Sequence, residues 1–132
     1  MEIIFYEKPG CINNTKQKAL LDKKGYKIQA KSILTEPWTR ETLRPFFGNM
    51  PLKKWFNPTA PRIKNGELDP ASFTKSGAIE EMIKDPYLIR RPLLEIKGHR
   101  ICGFDHPMVK ALIEPQDIAS VLTCPQVSNT CD

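Results

Sequence analysis

The first 32 residues constrain the fold more than any other part of the chain. Glu2–Tyr6 is a short apolar run closed by Lys8-Pro9-Gly10, which reads as a buried strand and a turn. Cys11-Ile12-Asn13-Asn14-Thr15 leads into Lys16–Lys24, where Lys, Gln, Ala and Leu favour a helix and Gly25 suits its C-terminal end. Tyr26, Ile28 and Ala30 then alternate with Lys27, Gln29 and Lys31, the period of a half-buried strand. Strand, helix and strand in this order make a βαβ unit, so the two strands run parallel with the helix as crossover.

Residues 37–88 break that rhythm and read as a helical insertion. Trp38, Leu43, Phe46 and Phe47 have helical spacing after the cap candidate Thr39, and Pro45 divides the run. Pro51–Phe56 reads as a short helix, Asn57–Asp69 as a loop, and Asp69-Pro70 as the start of one more helical turn. Ser76–Lys84 puts Ala78, Ile79, Met82 and Ile83 on one face. Beyond the insertion, Leu93–Ile96 and Arg100–Cys102 flank the turn Lys97-Gly98-His99. Asp105 is the cap expected for a closing helix with Pro107 in its first turn, followed by another helical turn at Pro115–Leu122. The predicted fold is α/β, a four-stranded mixed sheet covered by helices. Residues 1–122 form one domain and 123–132 a flexible tail.

A chain of 132 residues with 40% hydrophobic and 27% charged residues fits one folded domain. It holds no apolar stretch of membrane-spanning length, and its start has no basic, apolar leader, which predicts a cytoplasmic protein without membrane contact. The net charge of +5 is uneven: residues 1–60 carry eleven basic and five acidic side chains. A solvated lysine-rich surface accounts for this, and so does an anionic ligand or acidic partner. Nucleic acid is disfavoured because the lysines are not interleaved with stacking aromatics. No interface is predicted from the pattern, so the chain reads as a monomer. Four cysteines and two histidines show neither CxxC nor zinc-ligand spacing, so no metal and no bound cofactor is expected.

The chemistry concentrates at the first turn. Cys11 sits where a strand hands over to a helix, and free N–H groups there favour a thiolate. They can equally hold an oxyanion or a glutathione carboxylate. Lys8 adds positive potential; Asn14 and Thr15, with Asn13, supply hydrogen-bonding side chains. A buried, inert cysteine fits the same residues. Arg90-Arg91-Pro92 opens the next strand, with Pro92 a candidate for a cis bond. That strand runs antiparallel to the first, which brings Arg90 or Arg91 towards Cys11.

Tyr6–Thr15 (YEKPGCINNT), the insertion and Ile89–Leu94 (IRRPLL) together resemble the ArsC family of arsenate reductase-like proteins. The resemblance implies a thioredoxin-like fold with a helical subdomain inserted before a cis-proline strand. TEPWT (35–39), WFNPTAP (55–61) and IRRPLLEI (89–96) are similar to the nitrogenase-associated branch of that family. The resemblance puts the reactive cysteine at Cys11 and the arginine before the cis-proline at Arg91. Two further arginines that hold arsenate in the reductases fall on Trp55 and Gly103 here, with Arg62 the nearest substitute for the first. Asn14 stands where dithiol relatives carry the second cysteine, so glutathione or glutaredoxin is the expected partner thiol. Cys102 lies two interstrand steps of about 4.8 Å from the first strand, too far for a direct disulfide without movement. Three functions follow: a glutathione-linked monothiol oxidoreductase, a non-enzymatic adaptor that binds a nitrogen-fixation protein through its basic half and exposed Trp38, Trp55 or Phe56 (aromatics that more often belong to a core), and arsenate reduction.

Overall fold

A computed structural model describes residues 2–113. The expected turn at 115–122, the tail and Cys124 and Cys131 lie outside the described residues. Four strands, β1 (Glu2–Glu7), β2 (Lys27–Ser32), β3 (Leu93–Ile96) and β4 (His99–Cys102), form one sheet in the order β2-β1-β3-β4. β1 and β2 are parallel, and the other two pairings are antiparallel. The crossover is α1 (Ile12–Lys23). Gly25, at φ +92°, takes the left-handed turn after the helix that a side chain would resist.

Alternation along the strands divides the core into two layers. Ile3 and Phe5 of β1, Leu94 and Ile96 of β3, and Ile101 of β4 face Leu21 of α1 and Val109 of α5 (Pro107–Lys110). Tyr6, Leu93 and Cys102 face the insertion. The register Tyr6↔Leu93↔Cys102 places these three in one row across the sheet. Tyr6 packs edge-on against Phe46 and donates its hydroxyl to Glu95 at 2.7 Å; burial and that carboxylate push its pKa up.

The insertion is a chain of short helices. Thr39 caps α2 (Arg40–Leu43) in a reciprocal box with Thr42, and Pro45 turns the next residues into a 3₁₀ helix. The expected loop at 57–69 contains α3 (Pro61–Lys64), begun by Pro61 at its first position. α4 (Lys75–Lys84) starts one residue earlier than the apolar face suggests, because Thr74 caps it by accepting the Gly77 N–H. Trp55 is fully buried and stacks on Phe47 with ring centres 4.7 Å apart. Trp38 and Phe56 are buried too, so the expected adaptor contact through exposed Trp38, Trp55 or Phe56 is corrected: these rings build the core.

Two turn assignments also change. The hairpin loop is Lys97-Gly98, both at positive φ, and His99 pairs with Ile96 inside the sheet. His106, not Asp105, caps α5: its Nδ1 accepts the Met108 N–H at 3.1 Å. Asp105 is drawn away by Arg90.

Candidate functional site

The turn after β1 delivers the cysteine. Gly10, at φ +86°, reverses the chain, and the Cys11 N–H donates to the Lys8 carbonyl at 3.1 Å. Cys11 is then the N-cap of α1, in extended backbone geometry. Its Sγ accepts the Asn14 N–H at 3.5 Å, and its carbonyl accepts from both the N–H and the hydroxyl of Thr15 at 3.0 Å. α1 therefore begins four residues before the run of strong helix formers, at the sulfur itself.

Asn14 fastens this turn from inside. Its Oδ1 accepts the Lys8 N–H at 3.1 Å, and its Nδ2 donates to Gln17 Oε1 at 3.0 Å. Asn13, Asn14, Gln17 and Leu21 form the buried face of α1, three polar residues and one apolar. The Lys8 ammonium lies over the Tyr87 ring, 5.8 Å from its centre. Thus Lys8 contributes its backbone to the turn, and Thr15 closes the first helical turn rather than lining the cleft.

Cys11 is 2% exposed, yet it lines a cleft of about 620 Å³ together with Asn13, Asn14, Asn57, Arg90 and Arg91. The size is that of a small-molecule site. The insertion supplies the opposite wall, including Lys53, Lys54 and Phe56. Backbone bonds hold that wall to the strand entry: the Arg90 N–H donates to the Trp55 carbonyl at 3.0 Å and the Asn57 N–H to the Leu88 carbonyl at 2.8 Å. The Arg91–Pro92 peptide bond is cis. Two buried side-chain atoms on the cleft residues, Asn13 Oδ1 and Asn57 Nδ2, have no hydrogen-bond partner, one an acceptor and one a donor.

The arginines divide in their roles. Arg90 Nη2 donates to both oxygens of Asp105 at 3.0 Å. Arg62 is bound to Glu67, Asp85 and Glu81 at 2.8, 3.0 and 3.2 Å, and these bonds push its pKa up. It is absorbed in joining α3 to α4 and does not replace the missing oxyanion ligand. Trp55, at that same arginine's sequence match, is core. Cys102 is a second free thiol, buried, with its pKa pushed up to about 12 mainly by that burial. It donates weakly to the Arg90 carbonyl at 3.8 Å. Among the described residues, no cluster of His, Cys, Asp or Glu has the makings of a metal site, and no helix is long and apolar enough to cross a membrane.

Sequence reasoning missed Asn57, Lys53, Lys54 and Asp105 as cleft residues. Asn57-Pro58 and Gly103-Phe104-Asp105 punctuate the chain, but only the tertiary fold brings them to Cys11.

This architecture is a thioredoxin-like fold of the ArsC type. It is similar to the arsenate reductase from Vibrio cholerae, with a TM-score of 0.70 and 21% identity, covering 86% of this chain and 98% of that one. A possible arsenate reductase from Streptococcus mutans aligns with a TM-score of 0.67 and 28% identity, over 79% and 92% of the two chains. No protein-family model matches the chain. At 48% identity over 126 residues, covering 94% of this chain and 88% of its relative, it is similar to an uncharacterized 15.7 kDa protein in the draG 3′ region of Rhodospirillum rubrum. The chain belongs to the family of that protein.

Proposed function

We propose that the protein is a monothiol oxidoreductase in which Cys11 exchanges disulfides with glutathione. One observation carries this reading: the Cys11 sulfur caps a twelve-residue helix at the wall of a ligand-sized cleft that Arg90 and Arg91 also line. In the exchange, a Cys11 thiolate attacks one sulfur of oxidised glutathione. A Cys11–glutathione bond forms, the old S–S bond breaks, and glutathione thiolate leaves. Attack by a second glutathione thiolate on the glutathione sulfur reverses the step and restores Cys11. The Asn14 N–H donates to the Cys11 sulfur, while Arg91 and the cleft lysines favour the glutathione carboxylates. Cys102, a buried thiol with a raised pKa, makes a poor resolving partner, so among the described cysteines none resolves Cys11 and the proposal takes the second thiol from glutathione.

Mass spectrometry after exposure to oxidised glutathione tests the proposal. The expected product is one glutathione adduct on Cys11, absent in Cys11→Ser. An unmodified Cys11 under conditions that modify free thiols elsewhere would reject it.

A second reading, a non-enzymatic adaptor for a cytoplasmic nitrogen-fixation protein, draws on the exposed Lys53 and Lys54 at the cleft and on the draG context of the Rhodospirillum rubrum relative. It predicts an acidic partner recovered equally well by wild type and Cys11→Ser from nitrogen-fixing cells. Arsenate reduction ranks below both, since Trp55, Gly103 and the committed Arg62 leave the oxyanion without those ligands.

A further inference from the structure

Arg90 reaches the Cys11 cleft already paired. One nitrogen of its guanidinium, Nη2, meets Asp105, whose two oxygens both lie 3.0 Å from it. The backbone is shaped around this pair. Gly103 sits at φ +90°, where a Cβ would come within 2.7 Å of Asp105 Oδ1 and 3.3 Å of Arg90 Cζ and Nε. A side chain there would both strain the turn and push the two partners apart. The main chain of Arg90 is pinned as well, by its N–H to Trp55 and by the Cys102 thiol on its carbonyl. Nη2 can change partner only if Asp105 lets go.

We infer that Asp105 sets the anion selectivity of the cleft: its carboxylate holds the Arg90 guanidinium against free tetrahedral oxyanions, so the site rejects phosphate-like and arsenate-like ions. A carboxylate and an oxyanion compete for the same planar donors. An incoming dianion that takes Nη2 must displace its charge-assisted hydrogen bonds, and one that takes another Arg90 nitrogen still faces a carboxylate on the same cavity wall. The competitor is part of the chain, so dilution does not weaken it. This selectivity goes beyond the redox reading and does not require Cys11 to react.

Titration of the full chain with inorganic phosphate, followed by calorimetry, tests it. Asp105→Asn and Asp105→Ser are expected to bind phosphate roughly tenfold more tightly than wild type, or better. The gain is expected to vanish when Arg90→Met is added to either. Equal affinity in wild type and both variants would overturn the inference, as would a gain that survives loss of Arg90. The unmodified protein gives an independent reading should the variants unfold. Its Arg90 Nε–H resonance is expected to stay fixed at millimolar phosphate, and a saturable shift there contradicts the inference. Glutathione adduct formation on Cys11, measured in parallel, reports on the redox proposal separately.

Discussion

At the residue scale, the site depends on side chains that hold backbone rather than ligand. Asn14 is the chief example: it bonds the Lys8 N–H on one side and Gln17 on the other. Truncating it removes both bonds from a confined turn. Asn14→Ala is expected to cost about 1–2 kcal/mol in a urea melt; no change in midpoint would mean that the turn stands without it. Arg62 has a structural role of another kind. Its three carboxylate partners come from the loop after α3, from α4 and from the residue that ends α4. Arg62→Gln is expected to lower the melting temperature and leave the rate of Cys11 adduct formation unchanged. A slowed rate with intact stability would return Arg62 to the site. From sequence, Cys11, Arg90 and Arg91 were legible because a strand-to-helix turn and an antiparallel return strand have few ways to meet. The pairing of Arg90 with Asp105 was not, since the sequence reads Asp105 as the helix cap and only tertiary contact shows it turned to Arg90 with His106 capping instead.

At the scale of the element, periodicity succeeded where the buried face is apolar and failed where it is polar. α4 shows its stripe of Ala78, Ile79 and Met82 openly. α1 buries Asn13, Asn14 and Gln17, so its first turn has no apolar signal, and its start at Cys11 was read from the strand-to-helix turn rather than from periodicity. α3 was hidden in a segment rich in Pro, Asn and Gly, whose prolines also serve as helix starts. The caps can be tested directly. Thr74→Ala is expected to destabilise the chain by about 1 kcal/mol through loss of the Gly77 bond. His106 adds a pH dependence. Its pKa is lowered, first by burial, with Asp105 opposing. The unfolded chain then takes up a proton near the ordinary value of about 6.5 while the folded chain resists it. Stability from this residue is complete above that pH and is lost as pH falls towards the lowered folded value. His106→Asn keeps a capping side chain but removes the titration. Its melting temperature is expected to fall less than that of wild type between pH 7 and pH 5, and parallel curves would refute this origin.

At the scale of the molecule, one sheet separates two cores, and the cleft opens where the insertion meets the end of β1. The sheet order was legible because β1-α1-β2 fixes one parallel pair and the Lys97-Gly98 hairpin fixes β3 beside β4. The insertion's role was less so: its aromatics build a core that carries the cleft wall, and no local pattern distinguishes that from a docking surface. Trp55 makes the point. Trp55→Arg would match the arsenate reductases in sequence, yet it places an unpaired charge beside Phe47 and removes a fully buried ring. A loss of about 3–5 kcal/mol from the ring alone, with the charge added, is expected to unfold the chain in a thermal melt instead of creating an anion site. A folded variant that binds arsenate would show that the insertion tolerates what this packing forbids. The central claim, that Cys11 at the cleft wall is the reacting thiol while Cys102, as deeply buried and away from the cleft, is not, has its most direct test in site-resolved alkylation of the native protein at neutral pH. The account predicts rapid iodoacetamide labelling of Cys11 and labelling of Cys102 only after denaturant is added. Equal rates at the two positions, or a native Cys11 that stays unlabelled, would contradict it.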